Sequence, residues 1–183
     1  MSTLPQIVNH IEADDALHLG RLLILIDKFG GQKGTHQING LTKLAKLDFL
    51  LRYPAYLERA LLARNIRATM TSVHDFERNS IEAKMVRFRY GPWDFRYRRF
   101  LNTLAGKGLV AVGNKGRTVV VGVTPQGRLA AGLLTAQPEY EELEQRASLL
   151  KRHLDLSGTT LMEFIYKTFP EISSLRLGET IAP

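Results

Sequence analysis

The 183-residue chain contains no cysteine, which excludes disulfide cross-links, a thiol nucleophile and a cysteine-ligated zinc site. It also lacks a long hydrophobic run. The longest strongly apolar stretch is Leu22–Ile26, far shorter than the roughly 20 residues that span a bilayer. The first fifteen residues have no basic segment followed by an apolar one, so we expect no secretory signal. Together these absences favour a soluble, cytoplasmic protein.

Signatures of catalysis and of cofactor binding are also missing. No serine lies in a nucleophile-elbow pattern, and GGQKGT at residues 30–35 has the residues but not the order of a phosphate-binding loop. His10, Asp14 and His18 would share one helix face, as metal ligands do, if the first helix began early. However, Pro5 and the acidic segment EADD predict a start near Asp14. We therefore predict a protein that is not an enzyme and that has no metal site or cofactor.

Acidic residues are scarce in the middle of the chain. The formal net charge is +7, and residues 84–128 contain ten Lys or Arg residues but a single acid, Asp94. Residues 1–83 are nearly neutral, whereas residues 137–183 contain five basic and eight acidic residues. A concentrated basic block favours DNA or an acidic protein surface as partner. The alternative is a basic surface that is merely solvated.

The apolar pattern predicts helices and a few strands. Helices are expected at about 14–28, 41–53, 55–64, 94–107, from Thr124-Pro125 onward, and twice after residue 137. Residues 85–90, MVRFRY, alternate like a short strand that Gly91-Pro92 breaks. Two further strands flank Asn114-Lys115-Gly116 as a β-hairpin. The predicted fold class is mainly α with a small β-hairpin, hence α+β.

The order of these elements is that of a winged helix-turn-helix. Residues 1–136 would form the winged-helix domain, with an insertion at about 53–90, and residues 137–183 a C-terminal helical pair and tail. The basic helix 94–107 would take the recognition position. The predicted hairpin would be the wing. We predict contacts to DNA or to an acidic partner from the cations that precede the basic helix, lie on it, or lie on the wing: Arg87, Arg89, Arg96, Arg98, Arg99, Lys107, Lys115 and Arg117.

The segment 87–100, RFRYGPWDFRYRRF, concentrates five arginines and six aromatic residues. Its aromatic side chains are expected in the core rather than on a stacking platform; those considered are Phe88, Tyr90, Trp93 and Tyr97. Three interpretations of the arginines stay open. They contact DNA phosphates, they hold an acidic protein partner, or they only solvate the outside of the domain.

The C-terminal segment predicts a second possible binding face. Thr160 and Glu163 have capping-box spacing, and Pro170 would end the helix that they begin. Its apolar residues recur at helical spacing, which we interpret as a partner-binding face: Leu161, Phe164, Ile165 and Phe169. Residues 175–183 predict a tail.

Four segments together resemble a known family: INGLTKLAKLDFLLRYP, FRYGPWDFRY, KGLV with VTPQG, and LMEFIYKTFPEI. In this order they are similar to the middle component of bacterial ABC-three-component defence systems, which include the Lamassu anti-phage and anti-plasmid systems. The resemblance runs from about residue 17 to 172.

The resemblance implies a non-enzymatic adaptor between an SMC-like ABC ATPase and an effector, commonly a nuclease, with double-stranded DNA close by. The long insertion departs from a standard helix-turn-helix and would alter its docking on DNA. A hypothesis from a different functional class is a stand-alone transcriptional regulator or antitoxin. Such a protein would be a homodimer that inserts helix 94–107 into the major groove.

Overall fold

The computed structural model describes residues 4–67, 71–79 and 84–183, and side chains from Asp15 onward. The first helix, α1 (Leu4–Gly30), runs through the centre, and Leu22–Ile26 are fully buried. The prediction that α1 begins near Asp14 was wrong. Pro5 lies in its first turn, where a missing backbone N–H breaks no helical hydrogen bond.

Two helices follow the first loop as predicted. Helix α2 (Leu41–Arg52) ends before Tyr53, and α3 (Pro54–Leu62) begins with its proline at the first helical position. A short helix, α4 (Asp75–Asn79), lies in the predicted insertion. Proline acts here as expected, because it ends one helix and has the backbone angle that starts the next.

A three-stranded antiparallel sheet combines distant parts of the chain. Its strands are β1 (Ile38–Asn39), β4 (Val110–Lys115) and β5 (Thr118–Val123), in the order β1-β5-β4. The β4–β5 hairpin is confirmed, but the predicted turn Asn114-Lys115-Gly116 was wrong in position. Asn114 and Lys115 pair within the hairpin, and the turn is Gly116-Arg117, with Gly116 at φ +63°. Helix α6 (Pro125–Thr135) follows, and Thr124 caps it by accepting a hydrogen bond from the Gly127 N–H, as predicted.

A second hairpin lies in the region expected to be one strand. Strand β2 (Val86–Phe88) pairs with β3 (Gly91–Trp93). The prediction that Gly91-Pro92 breaks the β-structure was wrong, because Gly91 begins the returning strand at φ +124°. Helix α5 (Tyr97–Gly106) starts three residues later than predicted, since Asp94 accepts a hydrogen bond from the Arg96 N–H and forms a turn first.

The predicted tail is instead bound along β2. The backbone N–H of Arg87 donates to the Glu179 carbonyl (2.8 Å), and the Gly178 N–H donates to the Arg87 carbonyl (2.7 Å). The Ile181 side chain is 1% exposed, and its N–H donates to the Met85 carbonyl at 2.9 Å. The C-terminal segment thus covers the β2 edge through these hydrogen bonds and a single antiparallel bridge between Val86 and Thr180.

The C-terminal helices are α7 (Glu141–Leu154), α8 (Gly158–Thr168) and α9 (Pro170–Ser174). The N-cap of α8 is Ser157, whose hydroxyl accepts from the Thr160 N–H, so the predicted Thr160–Glu163 capping box was wrong. Helix α7 packs on α1 and α2, and α8 packs on α2 and α3. The predicted boundary at residue 137 therefore marks a change in composition and not a gap in packing.

The predicted partner-binding face on α8 lies largely in the protein's own core. Leu161, Ile165 and Phe169 are each 0% exposed, and Phe164 is partly buried against the same core. Phe169 contacts the ring of Tyr56 in α3, with centroids 4.9 Å apart. The stripe was correctly recognised as apolar, but α2 and α3 of the same chain cover most of it.

Candidate nucleic-acid interface

Helix α5 presents a polar face to solvent because its other face is anchored in the core. The four predicted inward residues are buried: Tyr97, Phe100, Leu101 and Leu104. Arg98, Arg99 and Asn102 therefore point outward and are exposed. The helical spacing read from the sequence is confirmed here, and it gives the helix one apolar and one hydrogen-bonding face.

A buried carboxylate fixes α5 to α1 and α2. Asp48, in α2, is 0% exposed. Its oxygens accept hydrogen bonds from Arg21 Nε, Arg52 Nη2 and the Tyr97 hydroxyl, each at 2.6 Å. Burial alone would raise the pKa of Asp48, but the two arginines outweigh burial and hold that pKa far below its usual range.

A second carboxylate extends this network to the first turn of α5. Asp94 is 6% exposed and accepts from Arg52 Nη1 at 2.8 Å and from Arg96 Nη2 at 2.9 Å. Burial would raise the pKa of Asp94, whereas its hydrogen bonds from Arg96 and Arg52 lower it well below normal. Positive and negative groups alternate along the network, and every charge has an opposite neighbour.

The predicted contact arginines consequently fall into different classes. Arg96 is held by Asp94 and stacks over the Phe100 ring at 5.2 Å, so it supports the helix. Arg99 is 54% exposed although it pairs with Asp15 at 2.8 Å. Arg87 is half-buried, and its Nε is buried without a hydrogen-bond partner in the described part of the chain.

The remaining predicted cations are exposed: Arg89, Arg98, Lys107, Lys115 and Arg117. Among residues 4–67, 71–79 and 84–183, none of these five makes an ion pair. They lie on three neighbouring places: the tip of the β2–β3 hairpin, helix α5 with its C-terminus, and the tip of the β4–β5 hairpin. Strand β4 contacts α5 directly.

The aromatic residues differ from expectation. Tyr97 is buried as predicted, and Trp93 is half-buried against it, with ring centroids 5.4 Å apart. Phe88 and Tyr90 are 39% and 50% exposed, so the prediction that they belong to the core was wrong for both. Phe95 is 69% exposed and was missed by the sequence analysis. The strands of this hairpin are only three residues long, and among residues 4–67, 71–79 and 84–183 no second layer covers these three rings.

One cluster elsewhere has metal-binding side chains. The ligand atoms of His74, Glu77 and Glu142 lie within 4.8 Å of one another. Arg146 already donates to both oxygens of Glu77, at 2.7 and 2.8 Å. A metal cation would therefore have to compete with this guanidinium for the Glu77 oxygens. The His10 and Asp14 side chains lie outside the described residues, and His18 is buried next to Arg21.

The helices in the described ranges are all too short or too polar to cross a membrane. Comparison of the chain with protein families, with curated proteins and with solved structures finds no match.

Proposed function

We propose that this protein is a winged-helix protein that binds double-stranded DNA through helix α5 and the β4–β5 hairpin. The observation that carries the proposal is the order α1-β1-α2-α5-β4-β5 with the sheet order β1-β5-β4. In a winged helix the helix before the hairpin reads the groove and the hairpin is the wing. Here both elements bear exposed cations that form no ion pair within the described part of the chain.

The chemistry of these side chains fits a duplex backbone. Phosphates are bound by Arg and Lys held on a surface of fixed shape, and we assign this role to Arg98, Lys107, Lys115 and Arg117, the basic face. Asn102 on α5 has an amide suited to an adenine edge in the major groove. Arg96 is not part of the basic face, because its guanidinium forms an ion pair with Asp94.

The insertion between α2 and α5 is compatible with this docking. Helix α3 packs on α2, α4 and α8, and β3 packs on α2 and α8. Arg98, Arg99 and Asn102 remain exposed in the presence of these elements. The described part of the insertion therefore leaves the outward side of α5 accessible.

The test is the salt dependence of duplex binding, measured by fluorescence anisotropy. Each phosphate that a Lys or Arg neutralises contributes about 0.9 to the slope of log affinity against log salt. Arg98→Ala, Lys115→Ala and Arg117→Ala combined should weaken binding and reduce the slope by about 0.9 for each phosphate that the variant no longer neutralises.

The matched control is Arg64→Ala, Arg152→Ala and Lys167→Ala combined, which removes three exposed cations outside the basic face. It should leave both the slope and the affinity nearly unchanged. An equal loss in both triple variants would mean that only net charge matters, and the proposed interface would be rejected.

Within this function we propose an adaptor role between an SMC-like ABC ATPase and an effector such as a nuclease, in a Lamassu-like defence complex, with no catalytic activity of its own. The resemblance supports the partners. A surface suited to them is the outer side of α6, where Leu129 and Leu133, one turn apart, are 73% and 71% exposed. We propose this surface of α6 as the partner-binding face in place of the one predicted on α8.

Co-purification of the tagged protein with its neighbours tests the adaptor proposal. Leu129→Glu with Leu133→Glu should abolish capture of the ATPase, while Leu177→Glu, at another exposed leucine (63%), should not. If the α6 variant instead only converts a homodimer into a monomer, the stand-alone regulator is the better description of the protein.

A further inference from the structure

Four aromatic residues with exposed or half-buried rings lie between β2 and the start of α5, next to the basic face in sequence. This aromatic patch consists of Phe88, Tyr90, Trp93 and Phe95, on the β2–β3 hairpin and the segment that leads into α5. Phe88 lies 5.9 Å from Trp93, nearly parallel to it, and 5.7 Å from Phe95, in an edge-to-face arrangement. Phe88, Trp93 and Phe95 thus contact one another, while Phe88, Tyr90 and Phe95 are 39%, 50% and 69% exposed.

The aromatic patch has a fixed shape. Trp93 contacts the buried ring of Tyr97, and Arg87 in β2 is bound on both its backbone N–H and its carbonyl by the C-terminal segment. The turn between β2 and β3 is also short, because Phe88 pairs directly with Gly91. A rigid platform needs little ordering when a ligand binds, which favours recognition of flat ligands.

Positive charge predominates around the aromatic patch, although Glu179 of the C-terminal segment also lies along β2. Residues 84–93 contain Lys84, Arg87 and Arg89 and no acid. The Arg89 guanidinium lies 5.7 Å from the centre of the Tyr90 ring. The next acid, Asp94, is buried and neutralised by Arg52 and Arg96. The complementary ligand is therefore a polyanion that also offers flat aromatic surfaces.

Single-stranded nucleic acid meets both requirements, since its bases can stack on aromatic side chains while its phosphates lie near cations. In a duplex the base faces are stacked on each other and cannot reach the rings. An acidic peptide would satisfy the charge but offers few flat faces. The combination of rings and arginines therefore favours unpaired bases over the other polyanions.

We propose that the aromatic patch binds unpaired nucleobases of single-stranded DNA or RNA, with Phe95, Tyr90 and Phe88 as stacking surfaces and Arg89 beside the phosphates. This site goes beyond duplex binding and does not depend on it. None of its residues belongs to the basic face defined by Arg98, Lys107, Lys115 and Arg117.

The single tryptophan of the chain, Trp93, reports on this surface. Titration with oligothymidylate or oligouridylate should quench its fluorescence. Loss of one stacking ring, in Phe95→Ala or Tyr90→Ala, should weaken binding by roughly 5- to 150-fold. Phe95→Leu should weaken it as well, because leucine keeps apolar area but has no π face. Binding of either oligonucleotide supports the proposal.

The matched control is Phe76→Ala, because Phe76 is also 69% exposed but lies in α4, outside the aromatic patch. Phe76→Ala should bind as the unsubstituted protein does. Equal affinities of Phe95→Ala and Phe76→Ala would overturn the proposal. So would heparin or polyglutamate that displaces the oligonucleotide at equal charge concentration, since neither has bases.

Binding of single strands at the aromatic patch and binding of duplex at the basic face can be tested separately. Phe95→Ala should leave duplex affinity unchanged, and the basic-face triple variant should lose duplex affinity while keeping the fluorescence response to Phe95-dependent binding. If the duplex is not bound but the quenching occurs and requires Phe95, the proposed function fails and the nucleobase site stands. If the reverse pattern is found, the nucleobase site fails alone.

Discussion

A buried lysine below the β2–β3 hairpin lowers the stability of the fold. Lys46, in α2, is 1% exposed, and its ammonium donates to the Thr42 carbonyl at 3.1 Å. No carboxylate pairs with it in the described ranges. Its stem packs under the backbone of Gly91, where an added Cβ would lie 3.3 Å from Cε. Burial lowers the pKa of Lys46 from 10.5 to about 8.

The cost of this lysine follows from the shift in its pKa. A change from 10.5 to about 8, at about 1.36 kcal/mol per pKa unit, corresponds to about 3 kcal/mol at pH 7. Lys46→Met keeps the linear shape but removes the charge. We expect it to raise the free energy of unfolding by about 1–3 kcal/mol at pH 7, because the lost hydrogen bond offsets part of the gain.

The sign of the pH dependence provides a sharper criterion. Between about pH 8 and 10.5 the unfolded chain binds a proton at Lys46 and the folded chain does not. The stability of the natural protein should therefore gain from this group as pH rises through that window. The advantage of Lys46→Met should be largest below pH 8 and disappear near pH 10.5.

Urea denaturation followed by far-UV circular dichroism, at several pH values from 7 to 10.5, measures both effects. Lys167→Met is the matched control, because Lys167 is an exposed lysine on α8 and should change stability by less than about 0.5 kcal/mol at any pH. A Lys46→Met protein that is less stable at pH 7, or whose advantage is the same at pH 7 and 10, would refute the reasoning.

Two further substitutions test the packing around α5 and α6. Asp48→Asn should cost about 3–5 kcal/mol in urea denaturation, because it leaves Arg21 without its carboxylate and Arg52 paired with Asp94 alone; the control Asp15→Asn removes a more exposed ion pair and should cost less than about 1 kcal/mol. Gly127→Ala should cost about 1–3 kcal/mol or more, because its Cβ would lie 1.8 Å from the Leu109 carbonyl oxygen. Gly132→Ala, on the same helix with nothing within 4 Å, should instead stabilise α6 by about 0.5–1 kcal/mol, and similar losses of stability in both glycine variants would contradict the steric explanation.

Local signals predicted most of the elements correctly. Local backbone geometry, or a hydrogen bond to a residue a few positions away, explains the effect of Pro54, Thr124-Pro125 and Gly116. For that reason the start of α3, the cap of α6 and the β4–β5 hairpin are where the sequence places them. The N-cap of α8 was predicted incorrectly because two nearby residues, Ser157 and Thr160, both have a hydroxyl. The hydroxyl of Ser157 is the one that accepts the capping hydrogen bond.

The candidate site was predicted only in part, because a residue type does not specify its partner. Arg96 and Arg98 are equivalent in the sequence, yet Arg96 is held by Asp94 and Arg98 is exposed. One signal was available, since Asp48 and Arg52 are four residues apart on α2 and form an ion pair there. Their connection to Asp94, 42 residues from Arg52 in sequence, required the fold.

The sequence by itself determined the α+β class, the periodic faces of the helices and the position of the basic block, because these depend on neighbours within a few residues. The tertiary structure decided which faces remain exposed. It buried the stripe of α8 under α2 and α3, bound residues 178–181 along β2, and left Phe88 and Phe95 in solvent. Burial depends on residues far apart in the chain that pack against each other, and no local pattern contains that information.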